Sequence, residues 1–122
     1  MHKILIVEDD ENARTAIDTF FRDRGFSVAS ASGAAEAIEV AKSFAPTILI
    51  SDWMLGNNGD GVSVARELFR TNSHLTIVFV SGYSLDQLRS QCRDIAVSHF
   101  LEKPVSLAEL GAIVDQIVAE IS

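Results

Sequence analysis

The stretch ILISDWMLGNNGDG, residues 48–61, decides the fold. Its apolar first half predicts a buried strand at Thr47–Ser51, and its Gly- and Asn-rich second half predicts an irregular, exposed loop. Asp52 therefore lies at the carboxyl end of a strand. In an open α/β sheet, ligands and chemistry collect at that end.

Three other apolar runs are also followed directly by polar side chains. The four features, in chain order, are Glu8-Asp9-Asp10 after Ile4–Val7, Asp52 after Ile48–Ser51, Ser81 after Ile77–Val80 and Lys103-Pro104 after Phe100-Leu101. Because parallel strands of such a fold end at the same edge of the sheet, we expect all four to meet in one site.

Five short apolar runs alternate with five amphipathic stretches, a pattern typical of repeated βα units around a parallel sheet. Right-handed crossovers cover both faces of a sheet only if the winding direction reverses once. The sequence therefore predicts an α/β fold, a doubly wound five-stranded parallel sheet with five helices, and one order that meets these conditions is the flavodoxin-like 2-1-3-4-5. In that order the first and third strands are neighbours, so Glu8, Asp9 and Asp52 converge.

Local signals mark several helix ends. Asp10 is the expected N-cap of a first helix at about Asn12–Arg24, with Gly25 at its stop. Pro46 closes the second helix, and Ser106 to Glu109 has the pattern of a capping box before the last one. The apolar stripe of that last helix predicts an inward face made of Leu110, Val114, Ile117, Val118 and Ile121.

Size and composition limit the possible functions. The 122 residues predict one domain, spanning 1–122, with no output domain. The net charge of −7 and the pI near 4.8 argue against the clustered basic face that direct nucleic-acid binding needs. The single cysteine, Cys92, can form no internal disulfide, so we expect it packed in a reducing compartment. The first apolar run is too short for a signal peptide or a membrane span, which predicts a cytoplasmic protein without membrane contact.

The three converging carboxylates predict a metal site. Glu8, Asp9 and Asp52 would repel one another and favour protonation unless a cation is present. Mg²⁺ binds oxygen ligands, usually takes one or two carboxylates and leaves positions for phosphate oxygens. We expect the backbone carbonyl of Met54 to be a further ligand.

The remaining features complete what phosphoryl transfer needs. Lys103 adds a fixed positive charge and Ser81 a hydroxyl donor for phosphoryl oxygens, while Asp52 is the natural nucleophile. Each feature alone has an ordinary explanation, because acids after strands often cap helices, lysines are usually solvated, and Ser81-Gly82 alone is a common turn. The specificity comes from the four standing in order at successive strand ends.

With these motifs the chain resembles the receiver (CheY-like) domain of two-component response regulators over essentially its whole length. The resemblance implies the strand order 2-1-3-4-5. The resemblance implies that Asp52 accepts phosphate from a histidine kinase or a histidine phosphotransfer protein. It also implies that Asp9 binds Mg²⁺ or Mn²⁺ directly, that Glu8 binds it through water, and that no organic cofactor takes part. Phe100 falls at the aromatic position that turns inward when Ser81 engages the phosphoryl group.

The chain departs from the family pattern in its loops. Gly56 stands where the loop after the acceptor usually has Pro, and the stretch to Gly61 looks one residue longer than the commonest form. Val105 replaces the frequent Phe after Lys-Pro. Met54 and Tyr83 occupy the two positions that flank the path of the hydrolytic water in the family. Both are bulky and neither carries an amide or carboxylate, which predicts slow autodephosphorylation.

The resemblance implies a stand-alone phosphorylation switch that catalyses only its own phosphorylation and dephosphorylation. Its output would be a downstream partner bound at the face of the fourth helix, fifth strand and fifth helix, by a monomer or a phosphorylation-dependent dimer. Three alternatives remain open at this point. They are a non-phosphorylated pseudo-receiver, a receiver fragment of a hybrid histidine kinase, and a haloacid dehalogenase-type phosphohydrolase, which would need an Asp where this chain has Met54.

Overall fold

The computed structural model describes residues 2–121, so residues 1 and 122 of the predicted domain lie outside the described part. It contains a five-stranded parallel sheet in the order β2-β1-β3-β4-β5, as predicted. The strands are β1 Lys3–Val7, β2 Ser27–Ala31, β3 Ile48–Asp52, β4 Thr76–Ser81 and β5 His99–Glu102. The helices are α1 Glu11–Asp23, α2 Ala34–Phe44, α3 Gly61–Thr71, α4 Leu85–Gln91 and α5 Leu107–Ile121.

Both faces of the sheet are covered, which is why its central strands are apolar almost throughout. Side chains such as Ile4, Ile48 and Val78 pack with α1 and α5 on one face. Their neighbours in sequence, such as Leu5, Leu49 and Ile77, pack with α2, α3 and α4 on the other. The strands' carboxyl ends therefore emerge between two helical layers.

The predicted start of α1 is confirmed, because the Asp10 side chain accepts a hydrogen bond from the Ala13 amide at 2.8 Å. After the helix, Gly25 has a φ of +91°. Half of the predicted capping box forms at α5, where the Glu109 amide donates to Ser106 Oγ at 3.0 Å. Within residues 2–121, the Ser106 amide donates no hydrogen bond to the Glu109 carboxylate, so the other half of the box does not form.

Two expectations about exposure were wrong. The segment after Asp52 is not exposed throughout, because Trp53 is 5% exposed and Leu55 is fully buried. Its apolar side chains fold back under a short 3-10 turn at Gly56–Asn58. At the other end, Ile121 is 48% exposed rather than inward, since it is the last residue of α5. Among the described helices, none has the length and apolar character needed to cross a membrane.

Candidate functional site

The strand order brings the predicted acidic residues together. β1 and β3 are adjacent and in parallel register, with Val7 opposite Ser51, so the residues that follow Val7 lie beside Asp52. One carboxylate oxygen from each of Glu8, Asp9 and Asp52 lies within 4.8 Å of the others. Glu8 and Asp52 are buried, whereas Asp9 is exposed. The result is an acidic cluster that is closed below and open to solvent at Asp9.

Lys103 reaches this cluster from the end of β5. Its Nζ donates to Asp52 Oδ2 at 2.7 Å and lies 3.4 Å from Glu8 Oε1. The lysine side chain is 37% exposed, so the ion pairs lie at the edge of the buried region rather than in its centre. One cation therefore contacts two of the three acids. The Lys103–Pro104 peptide bond that follows is cis, a feature for which the sequence offered no specific signal.

Electrostatics at the site follow from burial and from these pairs. Burial raises the pKa of Glu8, and the nearby Asp52 charge raises it further, against a hydrogen bond from the Asp10 amide and the charge of Lys103. Burial alone would lower the pKa of Lys103, but its hydrogen bond to Asp52 and the charges of Asp52 and Glu8 outweigh burial and raise it. Lys103 is consequently a firmly protonated group at neutral pH.

The Glu8 carboxylate has a fixed orientation. The Asp10 amide donates to its Oε2 at 3.1 Å, while its backbone carbonyl accepts from Arg14 at 2.9 Å. The same residue, Asp10, thus caps α1 with its side chain and orients Glu8 with its amide. The sequence predicts only the capping role. The signal for the second role is that Glu8 lies two residues before the N-cap, within reach of the Asp10 amide.

The donor set suits a hard divalent cation, because every candidate ligand atom in the cluster is a carboxylate oxygen. Lys103 compensates only part of the negative charge of the cluster, so a bound cation would reduce the remaining repulsion. Met54, whose carbonyl is the predicted further ligand, pairs with Asp60 in an isolated antiparallel bridge at the loop's base. The bridge fixes the backbone of Met54, two residues after Asp52.

Ser81 lies at the end of β4, but its hydroxyl is engaged in its own turn. It accepts from the Tyr83 amide at 2.9 Å and approaches the Tyr83 carbonyl at 3.2 Å as a donor. Contact with a phosphoryl group on Asp52 would require at least the second of these bonds to break. The sequence did not predict this arrangement. A serine hydroxyl often accepts a hydrogen bond from the backbone amide two residues later, and that habit was the available signal.

Phe100, the predicted switch residue, is half-buried and stacked on Phe79, with ring centroids 6.2 Å apart. The Arg89 guanidinium of α4 lies 5.2 Å from the centroid of the Phe100 ring. The aromatic ring therefore already connects β4, β5 and α4.

The two residues predicted to tune phosphate lifetime are both at the surface. Met54 is 40% and Tyr83 62% exposed. The Tyr83 ring packs edge-on against Trp53 at 6.2 Å between centroids, so it lies across the loop that follows Asp52. Neither side chain has a group that orients water by an amide or a carboxylate.

Comparison with known proteins identifies the relatives of this chain. A family model described as the response regulator receiver domain matches residues 4–115. The chain is 31% identical over 117 residues to the sensor kinase CckA of Brucella abortus, covering 94% of this chain. It is 31% identical over 110 residues to the response regulator MprA of Mycobacterium avium, covering 90% of this chain.

A solved structure shares the fold. The CheY-like receiver domain protein of Methanospirillum hungatei superposes with a TM-score of 0.90 at 18% identity, covering 98% of this chain and 95% of its own. The two curated relatives are much longer than this chain, which spans 12% of the sensor kinase and 48% of the response regulator.

Proposed function

This chain belongs to the response regulator receiver domain family, and on that premise we propose that it is a phosphorylation switch whose acceptor is Asp52. The phosphoryl group comes from a phosphohistidine on a histidine kinase or a histidine phosphotransfer protein. Receiver domains act with such kinases and with downstream effectors in two-component systems. The observation that carries the assignment is the buried Asp52 carboxylate, held by Lys103 and flanked by Glu8 and Asp9.

The proposed transfer is an in-line displacement. A carboxylate oxygen of Asp52 forms a bond to phosphorus while the bond from phosphorus to the imidazole nitrogen breaks, and the electron pair of that bond stays on the nitrogen. Lys103 already donates to Oδ2 of Asp52, so it is placed to keep its positive charge beside the phosphoryl oxygens. The chain therefore catalyses only its own phosphorylation and dephosphorylation.

The acidic cluster is the proposed Mg²⁺ or Mn²⁺ site. Asp9, Asp52 and the Met54 carbonyl would hold the ion directly, and Glu8 through water. When bound, the ion neutralises charge that builds up on the transferred group. Glu8 is fixed by the Asp10 amide and by Lys103, so it can orient a water molecule without moving.

The proposed output is a change at the face of α4, β5 and α5, where a downstream protein binds. Phosphoryl oxygens attract the Ser81 hydroxyl away from the Tyr83 carbonyl. The hydrogen bond that is lost contributes about 1 kcal/mol, and the charge-assisted bond to the phosphoryl group is stronger. Movement of Ser81 frees space beside Phe100, which contacts α4 through Arg89. Within this proposal the domain acts in the cytoplasm, as a monomer or as a phosphorylation-dependent dimer.

A second candidate is favoured by the match to a sensor kinase. The same residues would then receive phosphate inside a larger kinase chain and pass it onward in a phosphorelay. The chemistry at Asp52 is the same in both cases, and a phosphotransfer profile against the kinases of the source organism separates them.

The acceptor is tested by acid-labile phosphate uptake from acetyl phosphate with Mg²⁺. We expect stoichiometric uptake by the wild type and none by Asp52→Asn, because the amide is not a nucleophile. Asp86→Asn is the control, since that side chain is 98% exposed on α4, and it should take up phosphate normally. Label retained by Asp52→Asn would refute the acceptor assignment. No uptake by the wild type would favour a pseudo-receiver.

A further inference from the structure

The loop that follows Asp52 lies directly against Asp9. Gly56 has a φ of +61°, a region that L side chains rarely adopt. A Cβ added to Gly56 would lie 3.2 Å from Asp9 Oδ2, closer than ordinary van der Waals contact. The glycine backbone therefore occupies the space beside one oxygen of the most exposed acid in the cluster.

The far side of this loop is seated on another part of the fold. A Cβ at Gly33, the residue before α2, would lie 2.6 Å from Asn58 Cβ, so the loop fits there only because Gly33 has no side chain. Gly59 has a φ of +94°, and a Cβ there would lie 2.9 Å from Ala34 Cβ. Within the loop, the Leu55 amide donates to the Gly59 carbonyl at 3.1 Å. The segment Gly56–Gly59, called here the 56–59 loop, is thus supported at both ends.

We propose that Gly56 is a positioning residue for Asp9, and that the packing of the 56–59 loop against Gly33 holds Gly56 in place. This inference rests on the proposed function, because it assigns to Asp9 the role of a direct metal ligand. It explains why this chain has glycine where the family usually has proline. Proline cannot adopt a φ of +61°, so the loop can take this path over Asp9 only with a residue that tolerates the left-handed region.

The consequence is a preference for small cations. Mg²⁺ requires nearly ideal octahedral geometry at short distances, whereas Ca²⁺ accepts variable geometry and longer bonds. A displacement of Asp9 Oδ2 by a few tenths of an ångström therefore harms Mg²⁺ binding more than Ca²⁺ binding. A general loss of stability would weaken both ions alike, so the ratio of the two affinities separates positioning from a merely structural role.

The test compares Mg²⁺ and Ca²⁺ dissociation constants by titration, with Trp53 fluorescence as the readout. Trp53 is the chain's single tryptophan and directly follows Asp52. The variants are Gly56→Ala and Gly56→Asn, because asparagine tolerates positive φ and so adds a Cβ with less backbone strain. Gly33→Ala tests the packing of the 56–59 loop against Gly33. The φ of Gly33, −158°, is ordinary for alanine, so the added Cβ acts through its contact with Asn58 and not through backbone strain. Gly25→Ala is the matched control, with a φ of +91° but no atom within 4 Å of the added Cβ.

We expect both Gly56 variants to weaken Mg²⁺ binding by about tenfold. That value is the lower end of the loss in affinity that follows mutation of residues that orient metal ligands. Ca²⁺ binding should weaken less, and Gly33→Ala should shift the ratio in the same direction. Gly25→Ala should lower the melting temperature without changing either constant. If the wild type binds Mg²⁺ and Gly56→Asn binds it equally well, the positioning role of Gly56 is wrong while the proposed function stands. If the wild type binds no Mg²⁺, both fail together.

Discussion

At the scale of single residues, Lys103 determines the charge balance of the site, because it pairs with Asp52 and Glu8 at once. Its pKa is raised in the folded protein, so its pairing stabilises the fold at pH values below the ordinary lysine value, as long as the paired carboxylates are ionised. That contribution is lost as the pH rises from about 10.4 through the folded pKa. Near neutral pH the contribution is therefore fully present.

Lys103→Met tests this balance by removing the charge and keeping an unbranched apolar side chain. Metal-free variant protein should be less stable than the wild type at pH 7 by about 1 kcal/mol, a small value because solvent reaches Lys103. The difference should shrink when Mg²⁺ is added, since the ion compensates the same carboxylates. Urea unfolding with EDTA or with Mg²⁺ measures both quantities. Lys103→Arg retains the charge, and an equal loss in that control would attribute the effect to packing.

Met54 and Tyr83 carry the prediction about phosphate lifetime. Since neither residue orients water, phosphate on Asp52 should be lost over hours after the donor is removed. Met54→Asn supplies an amide beside the acceptor and should accelerate the loss by about tenfold or more, because positioning groups contribute at least that much to such reactions. The measurement is loading with acetyl phosphate, rapid desalting and timed assay of acid-labile phosphate. Loss of phosphate from the wild type within about a minute would contradict the prediction of slow autodephosphorylation.

Several residues were placed correctly by sequence alone because their surroundings are local. Asp10 caps the helix that begins next to it, and Asp52 ends the strand in which it lies. The close approach of Gly56 to Asp9 was not predictable in this way, because it depends on contacts between residues far apart in the chain. Asn58 against Gly33 is such a contact. The burial of Leu55 follows from the same folding back of the loop.

At the scale of elements, α4 is the shortest helix within the described residues, with seven. Its only fully buried side chain is Leu88, and Cys92 follows directly as its C-terminal cap at 5% exposure. Burial raises the pKa of the Cys92 thiol, which reduces the thiolate available for reaction. A short helix with few anchors opens more easily than the sheet.

Thiol labelling of Cys92 should therefore report local opening of α4. At pH 8 we expect a disulfide reagent to react slowly with the folded protein, at a rate that depends only weakly on low concentrations of urea. Leu88→Ala removes the anchor and should accelerate labelling by about tenfold or more, since loss of a buried leucine costs about 2–5 kcal/mol. Val114→Ala, in α5 on the opposite face of the sheet, is the control and should change the rate much less. Equal acceleration in both variants would indicate global unfolding instead.

The strand order was predictable from the family resemblance, after physical rules had limited the possible orders. Crossover handedness and the need to cover both faces leave few arrangements for five βα units. Exact element bounds were less accessible, because they depend on caps formed by the backbone. α2, for example, ends at Phe44 and is capped by Ala45, which is in the left-handed conformation with a φ of +53° and directly precedes Pro46. Pro46 predicted where α2 ends, but nothing in the sequence predicted that Ala45 would adopt the left-handed conformation.

At the scale of the whole molecule, the site and the proposed output face are joined through β4 and β5. Phe79 lies opposite Phe100 in the sheet register, two residues before Ser81 on β4. The two rings are stacked, and Arg89 of α4 lies over Phe100. A change at Ser81 thus has a short packed route to α4, a helix of seven residues with one buried side chain. A phosphoryl group shifts such an element only if it binds one of its two packings better than the other.

Hydrogen exchange with and without beryllofluoride and Mg²⁺ tests this coupling. We expect slower exchange in residues 52–61, where the ligand contacts the loop, and altered exchange in α4 and β5. Strand β2 lies at the opposite edge of the sheet and should be unchanged. Asp52→Asn should abolish every difference, which excludes an effect of the reagent itself. Changes confined to residues 52–61 would mean that phosphate binds without moving α4, and the output face would then have to lie on the 56–59 loop side, next to α2.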